Sequence, residues 1–239
     1  MTAHNKIAPY RVTVVMPAYN EEKCLAASVA NVLASFTGLA IDGQLIIVND
    51  GSIDGTGALA DRLAVAQPAI AVIHHQIPQG IGGAFWGGVG MAAGEVVVMV
   101  PGDGENDAGE ILKHLPRMEQ ADVVVPFVVN PEVRSLKRRL LSLLYGRIIN
   151  LSFGLSLRYL NGTVMYRTEL LHGLELRSSG FFYQAELLIK TIRQGARYVE
   201  VPCRLQQRRA GQSKAVTWSS FGHVMRAYLA IFSEVYLAR

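Results

Sequence analysis

A continuous apolar run from Val96 to Val100 is the feature that most constrains the fold of this chain. A strand without a polar position is typical of a parallel sheet that is covered by helices on both faces. After this run the chain turns on a Pro-Gly pair and presents three acids, Asp103, Glu105 and Asp107. Ligands of open α/β sheets bind at the carboxyl ends of the strands. These acids therefore either form part of a site or belong to a solvated loop that caps the next helix.

Apolar strands alternate with amphipathic helices along the rest of the chain, which predicts a doubly wound, mostly parallel α/β sheet in a single domain over residues 1–239. The long loops of the first half each follow a strand, so they should gather at one edge of the sheet. Asn20 is predicted to be the N-cap of the first helix. The predicted strands span residues 11–16, 44–48, 69–73, 96–100, 122–125, 163–166 and 198–201.

Basic residues concentrate in the second half of a chain whose net charge is +4. They cluster at residues 134–147 and 204–214, which indicates an anionic ligand or an anionic membrane surface. The first cluster is equally compatible with the solvated face of an amphipathic helix. The aromatic residues of the last helix favour core packing or a dimer face over contact with a membrane. The pattern does not resemble a nucleic-acid-binding surface, so we expect no nucleic-acid partner.

The two cysteines, Cys24 and Cys203, have neither metal-site spacing nor a disulfide framework, which favours a reducing cytoplasm. The first residues lack the apolar region of a signal peptide. No uncharged run reaches the ~18 residues that span a bilayer. We therefore expect a cytoplasmic protein that is either free or peripheral on the cytoplasmic face of the membrane.

The strand-end loops contain acids without histidine or cysteine partners, a donor set that suits Mg²⁺ or Mn²⁺ bridging to a diphosphate. The first loop, PAYNEE, offers the ring of Tyr19 to a planar base. The second, NDGSIDGT, offers Asp50, although an ordinary Asp-Gly turn explains it as well. The glycines of QGIGGAF are not a Walker sequence, and no glycine fingerprint follows the first strand. These loops therefore predict a bound nucleotide whose base lies over the first two loops.

Six segments occur in the order found in family 2 glycosyltransferases: VVMPAYNEE, VNDGSIDGT, QGIGGAFWGGVGMAAGEVV, VMVPGDGEN, FFYQAELLIKTIRQGARYVEVP and RRAGQSK. The chain most resembles the polyprenyl-phosphate sugar transferases of that family, the group similar to dolichol-phosphate mannose synthase, over about residues 12–214. The resemblance implies a GT-A fold, a GDP- or UDP-linked sugar donor, a divalent cation and inversion at the anomeric carbon. It also implies a nucleotide-binding part over about residues 10–126 and an acceptor side over about residues 127–239.

Roles follow from the resemblance by position. The metal residues would be Asp103 and Glu105. The catalytic residues would be Asp103 and Glu186, where Glu186 is either a base near the acceptor or an ion-pair partner. The nucleotide-binding residues would be Pro17, Tyr19, Glu21, Asp50, Gly80 and Asp103. The acceptor phosphate would be held by Arg138, Arg208, Ser213 and Lys214.

Two positions depart from the family pattern, because Asn49 and Pro101 stand where acids are usual.

The sequence leaves three hypotheses for the function of the chain. The first is transfer of a sugar to a polyprenyl phosphate such as dolichyl or undecaprenyl phosphate. The second keeps the donor but uses a saccharide or small-molecule hydroxyl as acceptor. The third is a nucleotide-sugar-binding protein without turnover.

Overall fold

A seven-stranded sheet forms the centre of the molecule, which the computed structural model describes for residues 10–205 and 218–237. The strands are β1 (Val12–Ala18), β2 (Gly43–Asp50), β3 (Ile70–His75), β4 (Val96–Met99), β5 (Val123–Val128), β6 (Met165–Arg167) and β7 (Tyr198–Cys203). Their order across the sheet is β3-β2-β1-β4-β6-β5-β7, and β6 runs antiparallel to both of its neighbours while the other pairs are parallel. The predicted mostly parallel α/β sheet is confirmed.

Helices cover both faces of the sheet, as the apolar strands require. They are α1 (Leu25–Gly38), α2 (Thr56–Ala66), α3 (Gly80–Val89), α4 (Ala108–Leu112), α5 (Leu136–Phe153), α6 (Tyr183–Arg193) and α7 (Trp218–Tyr236). Val14 and Met16 of β1 share one buried core with α1, α2 and α4, whereas Val15 shares the other with α3, α5, α6 and α7. Within the described ranges, no helix is both long and apolar enough to cross a membrane.

The crevice between β1 and β4 is the point where the strand order reverses. From β1 the chain adds β2 and β3 on one side, and it then returns to place β4 on the other side of β1. The backbone N–H of Gly102 donates to the carbonyl of Pro17 at 3.0 Å, which holds the two strand-end loops together. In open α/β sheets such a reversal is where ligands bind.

Two local expectations are wrong. The strand β2 is longer than predicted, so Asp50 is its last residue and not part of a free turn. Asn20 does not cap α1, which begins at Leu25 without a side-chain cap. The carbonyl of Glu21 already accepts from the first amides of the helix, and Asn20 lies in the left-handed region with φ 56°. Its side chain is used instead in a contact with the second loop.

Candidate active site

The first two strand-end loops are joined by hydrogen bonds. The N–H of Asn20 donates to Oγ of Ser52 at 3.0 Å, and its Oδ1 accepts from the N–H of Ile53 at 2.9 Å. The N–H of Glu21 donates to Oγ1 of Thr56 at 2.9 Å. Tyr19 is 38% exposed beside these contacts, and an aromatic ring at this place suits stacking on a planar base. These hydrogen bonds join Asn20 and Glu21 of the first loop to the second loop, and Pro17, Tyr19 and Glu21 stay the predicted nucleoside-pocket residues.

Asp50 holds the start of α3 in place. Its Oδ1 accepts from Nδ1 of His75 at 2.7 Å and from the N–H of Gln79 at 2.8 Å, while Oδ2 accepts from the N–H of Gly80 at 2.8 Å. The residue is only 4% exposed, so these charge-assisted bonds lie away from bulk water. Because the carboxylate accepts, Nδ1 of His75 carries the proton. The contacts give Asp50 a role in shaping the predicted nucleotide pocket.

Gly80 is needed where the second and third loops meet. Its φ is +83°, and a Cβ there would lie 2.7 Å from the carbonyl oxygen of Ser179. The same carbonyl accepts from the N–H of Gly82 at 2.7 Å. A side chain at position 80 would be strained and would also displace this backbone. Position 80 therefore requires glycine, because α3 packs closely against residues 178–179.

Asn49, the first departure from the family pattern, is used structurally. Its Nδ2 lies 3.1 Å from Nδ1 of His74, and Nε2 of the same ring lies 2.9 Å from Oδ1 of Asp61. Oδ1 of Asn49 accepts from the N–H of Ser52 at 3.3 Å. An amide can donate to one partner and accept from the other, which an ionised aspartate cannot do. The asparagine therefore fits its neighbours.

Asp103 and Glu105 follow β4 at the crevice. The N–H of Glu105 donates to Oδ1 of Asp103 at 3.0 Å, and both residues are partly buried. No group of three potential metal ligands occurs among residues 10–205 and 218–237. The donor set fits a cation such as Mg²⁺ all the same, since Mg²⁺ is commonly held by one or two carboxylates together with substrate phosphates and water. The two residues remain the predicted metal ligands.

Asp107, the third acid of this loop, caps α4. Its Oδ1 accepts from the N–H of Gly109 at 2.9 Å and from Nδ2 of Asn31 at 3.1 Å. Oδ1 of Asn31 in turn accepts from the N–H of Ala108 at 2.8 Å. These contacts match the capping alternative for Asp107 and tie the acidic loop to α1.

Arg138 brings the acceptor side to the acidic loop. It lies in the first turn of α5, where Oγ of Ser135 accepts from its N–H at 3.4 Å. Its Nη2 is 3.8 Å from Oε2 of Glu105. A predicted acceptor-phosphate residue and a predicted metal residue are therefore neighbours. The remaining basic-loop residues, Arg208, Ser213 and Lys214, lie outside the described residues, and their roles stay predictions.

Glu186 does not have the geometry of a base. It is fully buried, and its two carboxylate oxygens accept from the N–H groups of Arg177 at 2.9 Å and Ser178 at 2.8 Å. Nζ of Lys190 is 2.8 Å from Oε1. A base must reach the proton that it removes, whereas this carboxylate faces the protein interior. We assign Glu186 the ion-pair alternative in place of the catalytic role.

Sequence reasoning missed the contacts of His74 and His75. Both lie at the end of β3, and the β2–β3 register places them opposite Asn49 and Asp50. Once β2 and β3 are aligned as parallel neighbours, this polar pairing is a signal that the sequence contains. The hydrogen bond between Arg134 and the hydroxyl of Tyr159 joins two loop residues that no strand pairing aligns, and no local pattern indicates it.

Replacement of Asp50 by asparagine is expected to weaken both the fold and donor binding. An amide nitrogen would have to face either the N–H of Gly80 or the donors from His75 and Gln79. One buried donor pair would then be unsatisfied, at a cost of about 1–3 kcal/mol. Thermal unfolding and calorimetric titration with a nucleoside diphosphate measure the two effects.

The matched control for this change is Asp61→Asn. Asp61 also pairs with a histidine, but that pair is exposed, with side-chain exposures of 60% for Asp61 and 40% for His74. Exposed pairs contribute about 0–1 kcal/mol. Equal losses of stability in the two variants would contradict the supporting role given to Asp50.

Comparison with known proteins agrees with this geometry. The model of the family described as glycosyl transferase family 2 matches residues 13–174. The undecaprenyl-phosphate mannosyltransferase of Micrococcus luteus is 30% identical over 218 residues, which cover 85% of this chain and 87% of that protein. The polyprenol monophosphomannose synthase of Mycolicibacterium smegmatis is 32% identical over 217 residues, covering 85% and 80% respectively.

A solved structure supports the fold. The glucosyl-3-phosphoglycerate synthase of M. tuberculosis superposes with a TM-score of 0.66 at 24% identity, covering 93% of this chain and 81% of that chain. This structural likeness agrees with the predicted GT-A architecture. The family model and the two relatives are sequence matches, and they identify the family. The chain therefore belongs to glycosyl transferase family 2 and is a glycosyltransferase.

Proposed function

We propose that this glycosyltransferase moves a sugar from a nucleotide-sugar donor to a polyprenyl phosphate. The observation that carries the proposal is the approach of Arg138 to Glu105, with Nη2 and Oε2 3.8 Å apart. Through this contact the basic first turn of α5, which suits a phosphate, lies next to the acidic loop after β4, which suits a metal-bound diphosphate. The two relatives described above are both named for polyprenyl-phosphate mannosyl chemistry. We extend the proposal to mannose as the sugar on that ground.

The donor would lie over the β1–β4 crevice. Tyr19 would back the base, and the loop held by Asp50 would form the floor of the pocket. Asp103 and Glu105 would hold Mg²⁺ or Mn²⁺ together with the diphosphate. When bound, such a cation stabilises the negative charge of the leaving nucleoside diphosphate.

A phosphate acceptor requires little from the protein in the way of proton removal. The second pKa of a phosphate monoester is about 6, so its oxygens are already ionised near neutral pH. The work of the chain is then to place that oxygen in line with the anomeric carbon. Arg138 would orient the acceptor phosphate, and Arg208, Ser213 and Lys214 are proposed to complete its binding.

The state of Glu186 favours a phosphate over a hydroxyl acceptor. A hydroxyl nucleophile must lose its proton to a base. Glu186 was the candidate base, and it is fully buried with both oxygens bonded to backbone amides. A phosphate acceptor makes such a base unnecessary.

Incubation with radiolabelled nucleotide sugars tests the proposal. GDP-mannose and the UDP-linked hexoses are supplied in parallel with Mg²⁺ or Mn²⁺ and a short polyprenyl phosphate, and label is counted in a chloroform extract. The matched control acceptor is the corresponding polyprenol without its phosphate. A labelled glycolipid that requires the phosphate is the expected result. Product formed only with hydroxyl acceptors would overturn the proposal, and donor binding without transfer to any acceptor would indicate a binding protein.

Arg208→Ala is expected to raise the KM for the acceptor by about tenfold to a hundredfold, because one charge-assisted contact to the phosphate is lost. The KM for the donor should change much less. Steady-state kinetics with each substrate varied in turn measure both constants. An unchanged acceptor KM would remove Arg208 from the proposed phosphate site.

A further inference from the structure

A row of hydrogen bonds runs from the outer side of α2 to the first strand-end loop. Nε2 of His74 lies 2.9 Å from Oδ1 of Asp61, and Nδ1 of the same ring lies 3.1 Å from Nδ2 of Asn49. Oδ1 of Asn49 accepts from the N–H of Ser52. Oγ of Ser52 in turn accepts from the N–H of Asn20 at 3.0 Å. These five residues, here called the His74 relay, connect the end of β3 to the first loop.

The backbone N–H of Ser52 fixes the direction of the central bond in this relay. A backbone N–H can only donate, so the Asn49 atom that faces Ser52 is the amide oxygen. The amide nitrogen of Asn49 therefore faces His74, and Nδ1 of the ring accepts the hydrogen bond. The ring proton is then on Nε2, from which it is donated to Oδ1 of Asp61. His74 thus serves Asn49 as an uncharged acceptor.

The surroundings of Asn49 leave little room for its amide to move. The residue is 7% exposed, and the β2–β3 register places it opposite His74. Helix α2 packs on the other side, since a Cβ at Gly57 would lie only 2.9 Å from Nδ2 of Asn49. Packing and strand pairing together therefore hold the amide between the ring and the second loop.

The first loop has a conformation that needs support from outside the loop. Asn20 has φ 56°, a region that residues other than glycine seldom adopt. Two hydrogen bonds from the second loop hold it there, one to Oγ of Ser52 and one from the N–H of Ile53. The chain neighbours of Asn20 are Tyr19 and Glu21, both predicted to line the nucleoside pocket. A shift of Ser52 would therefore change the part of the loop that the donor is expected to meet.

We propose that His74 is a positioning residue for the nucleotide-sugar donor. It acts through Asn49, which orients the turn at Ser52 and thereby the first loop. The inference rests on the proposed donor site, because the first loop is expected to meet the nucleotide there. The bond to Asp61 contributes little, since that pair is exposed whereas Asn49 is buried. The effect of His74 therefore belongs in the KM for the donor, with kcat and the KM for the acceptor nearly unaffected.

Two substitutions of His74 separate its two hydrogen bonds. In His74→Asn the amide oxygen takes the place of Nδ1 and accepts from Asn49, but the contact with Asp61 is lost. In His74→Gln the longer amide reaches towards Asp61, and Asn49 loses its acceptor.

We expect His74→Gln to raise the KM for the donor about threefold to tenfold, the size expected for one lost hydrogen bond. The kcat should stay within about twofold of the native value. His74→Asn should restore most of the donor affinity. Steady-state kinetics with each substrate varied in turn, and calorimetric titration with GDP and with UDP, measure these effects.

Gly57→Ala disturbs the same bond from the side of α2. The added methyl group would displace Nδ2 of Asn49, which is the end of a side chain, so the fold should remain intact. Alanine also favours a helix more than glycine does. We expect the KM for the donor to rise as in His74→Gln, without a fall in Tm. The matched control is Gly38→Ala in α1, where a Cβ would meet nothing within 4 Å among the described residues.

Tyr19→Ala keeps this proposal apart from the donor site on which it rests. An unchanged KM for the donor in Tyr19→Ala would count against the proposed donor site itself. A raised KM in Tyr19→Ala, with native values in both His74→Gln and Gly57→Ala, would overturn the role of His74 alone. A raised KM in His74→Asn but not in His74→Gln would also overturn it, because the contact with Asp61 would then be the one that matters.

Discussion

Asp103→Asn is expected to abolish metal-dependent transfer, with a fall in rate of about a thousandfold or more. Such a fall corresponds to about 4 kcal/mol of transition-state stabilisation, within the range for a cation at a developing charge. Asparagine keeps an oxygen that can accept from the N–H of Glu105, as Oδ1 of Asp103 does at 3.0 Å. The loop should therefore keep its shape while losing an anionic ligand. Transfer assays over a range of Mn²⁺ concentrations and calorimetric titration with Mn²⁺ and a nucleoside diphosphate measure the effect.

Asp107→Asn is the matched control, because it makes the same chemical change four residues further along the same loop. Asp107 caps α4 through the N–H of Gly109, and asparagine is about as good an N-cap as aspartate. We expect this variant to retain most of the activity and the metal dependence. Full activity in Asp103→Asn would refute its metal role, whereas equal losses in both variants would extend the metal site to Asp107.

The sheet could be predicted because buried strands have a strong local signature. Val96–Met99 has four fully or almost fully buried positions in succession, and this pattern alone implies helices on both faces. The ends of elements were less predictable, because they depend on partners distant in the sequence. Strand β2 continues to Asp50 because β3 pairs with it as far as His75. Asn20 was misassigned because its contacts are with Ser52 and Ile53, which approach only in the folded chain.

The site could be predicted at the level of which loops meet, but only partly at the level of what each side chain does. Asp50 and Gly80 were expected in the nucleotide pocket, and the structure shows that they bond to each other. Motif matching identifies such residues, but it does not tell whether a residue contacts the nucleotide or holds another part of the pocket in place. The separation depends on burial and on hydrogen-bond partners, which a sequence pattern does not specify.

Glu186 shows how far such support extends from the crevice. Its carboxylate fixes the amides of Arg177 and Ser178. The next residue, Ser179, accepts through its carbonyl from the N–H of Gly82 at the start of α3. The N–H of Gly80, in the same turn, donates to Asp50. A continuous set of hydrogen bonds and adjoining backbone therefore links α6 to the proposed nucleotide pocket.

Glu186→Gln is expected to lower the free energy of unfolding by about 3 kcal/mol. The change removes the charge from a buried pair with Lys190, whose side chain is 9% exposed, and it turns an amide nitrogen towards a backbone donor. For a domain of this size the loss corresponds to a decrease in Tm of roughly 6–12 °C. Thermal and chemical unfolding of the purified variant measure it.

The matched control is Asp42→Asn, which removes the charge from the exposed pair of Arg11 and Asp42, 3.7 Å apart. Its effect should stay within about 1 kcal/mol. Lys190→Gln breaks the buried pair from the other side, and it should destabilise the chain in the same direction as Glu186→Gln. A base would behave differently, because its replacement would leave stability intact, lower the rate and remove the acidic limb of the pH–rate profile. That combination in Glu186→Gln would restore the catalytic role and with it the case for a hydroxyl acceptor.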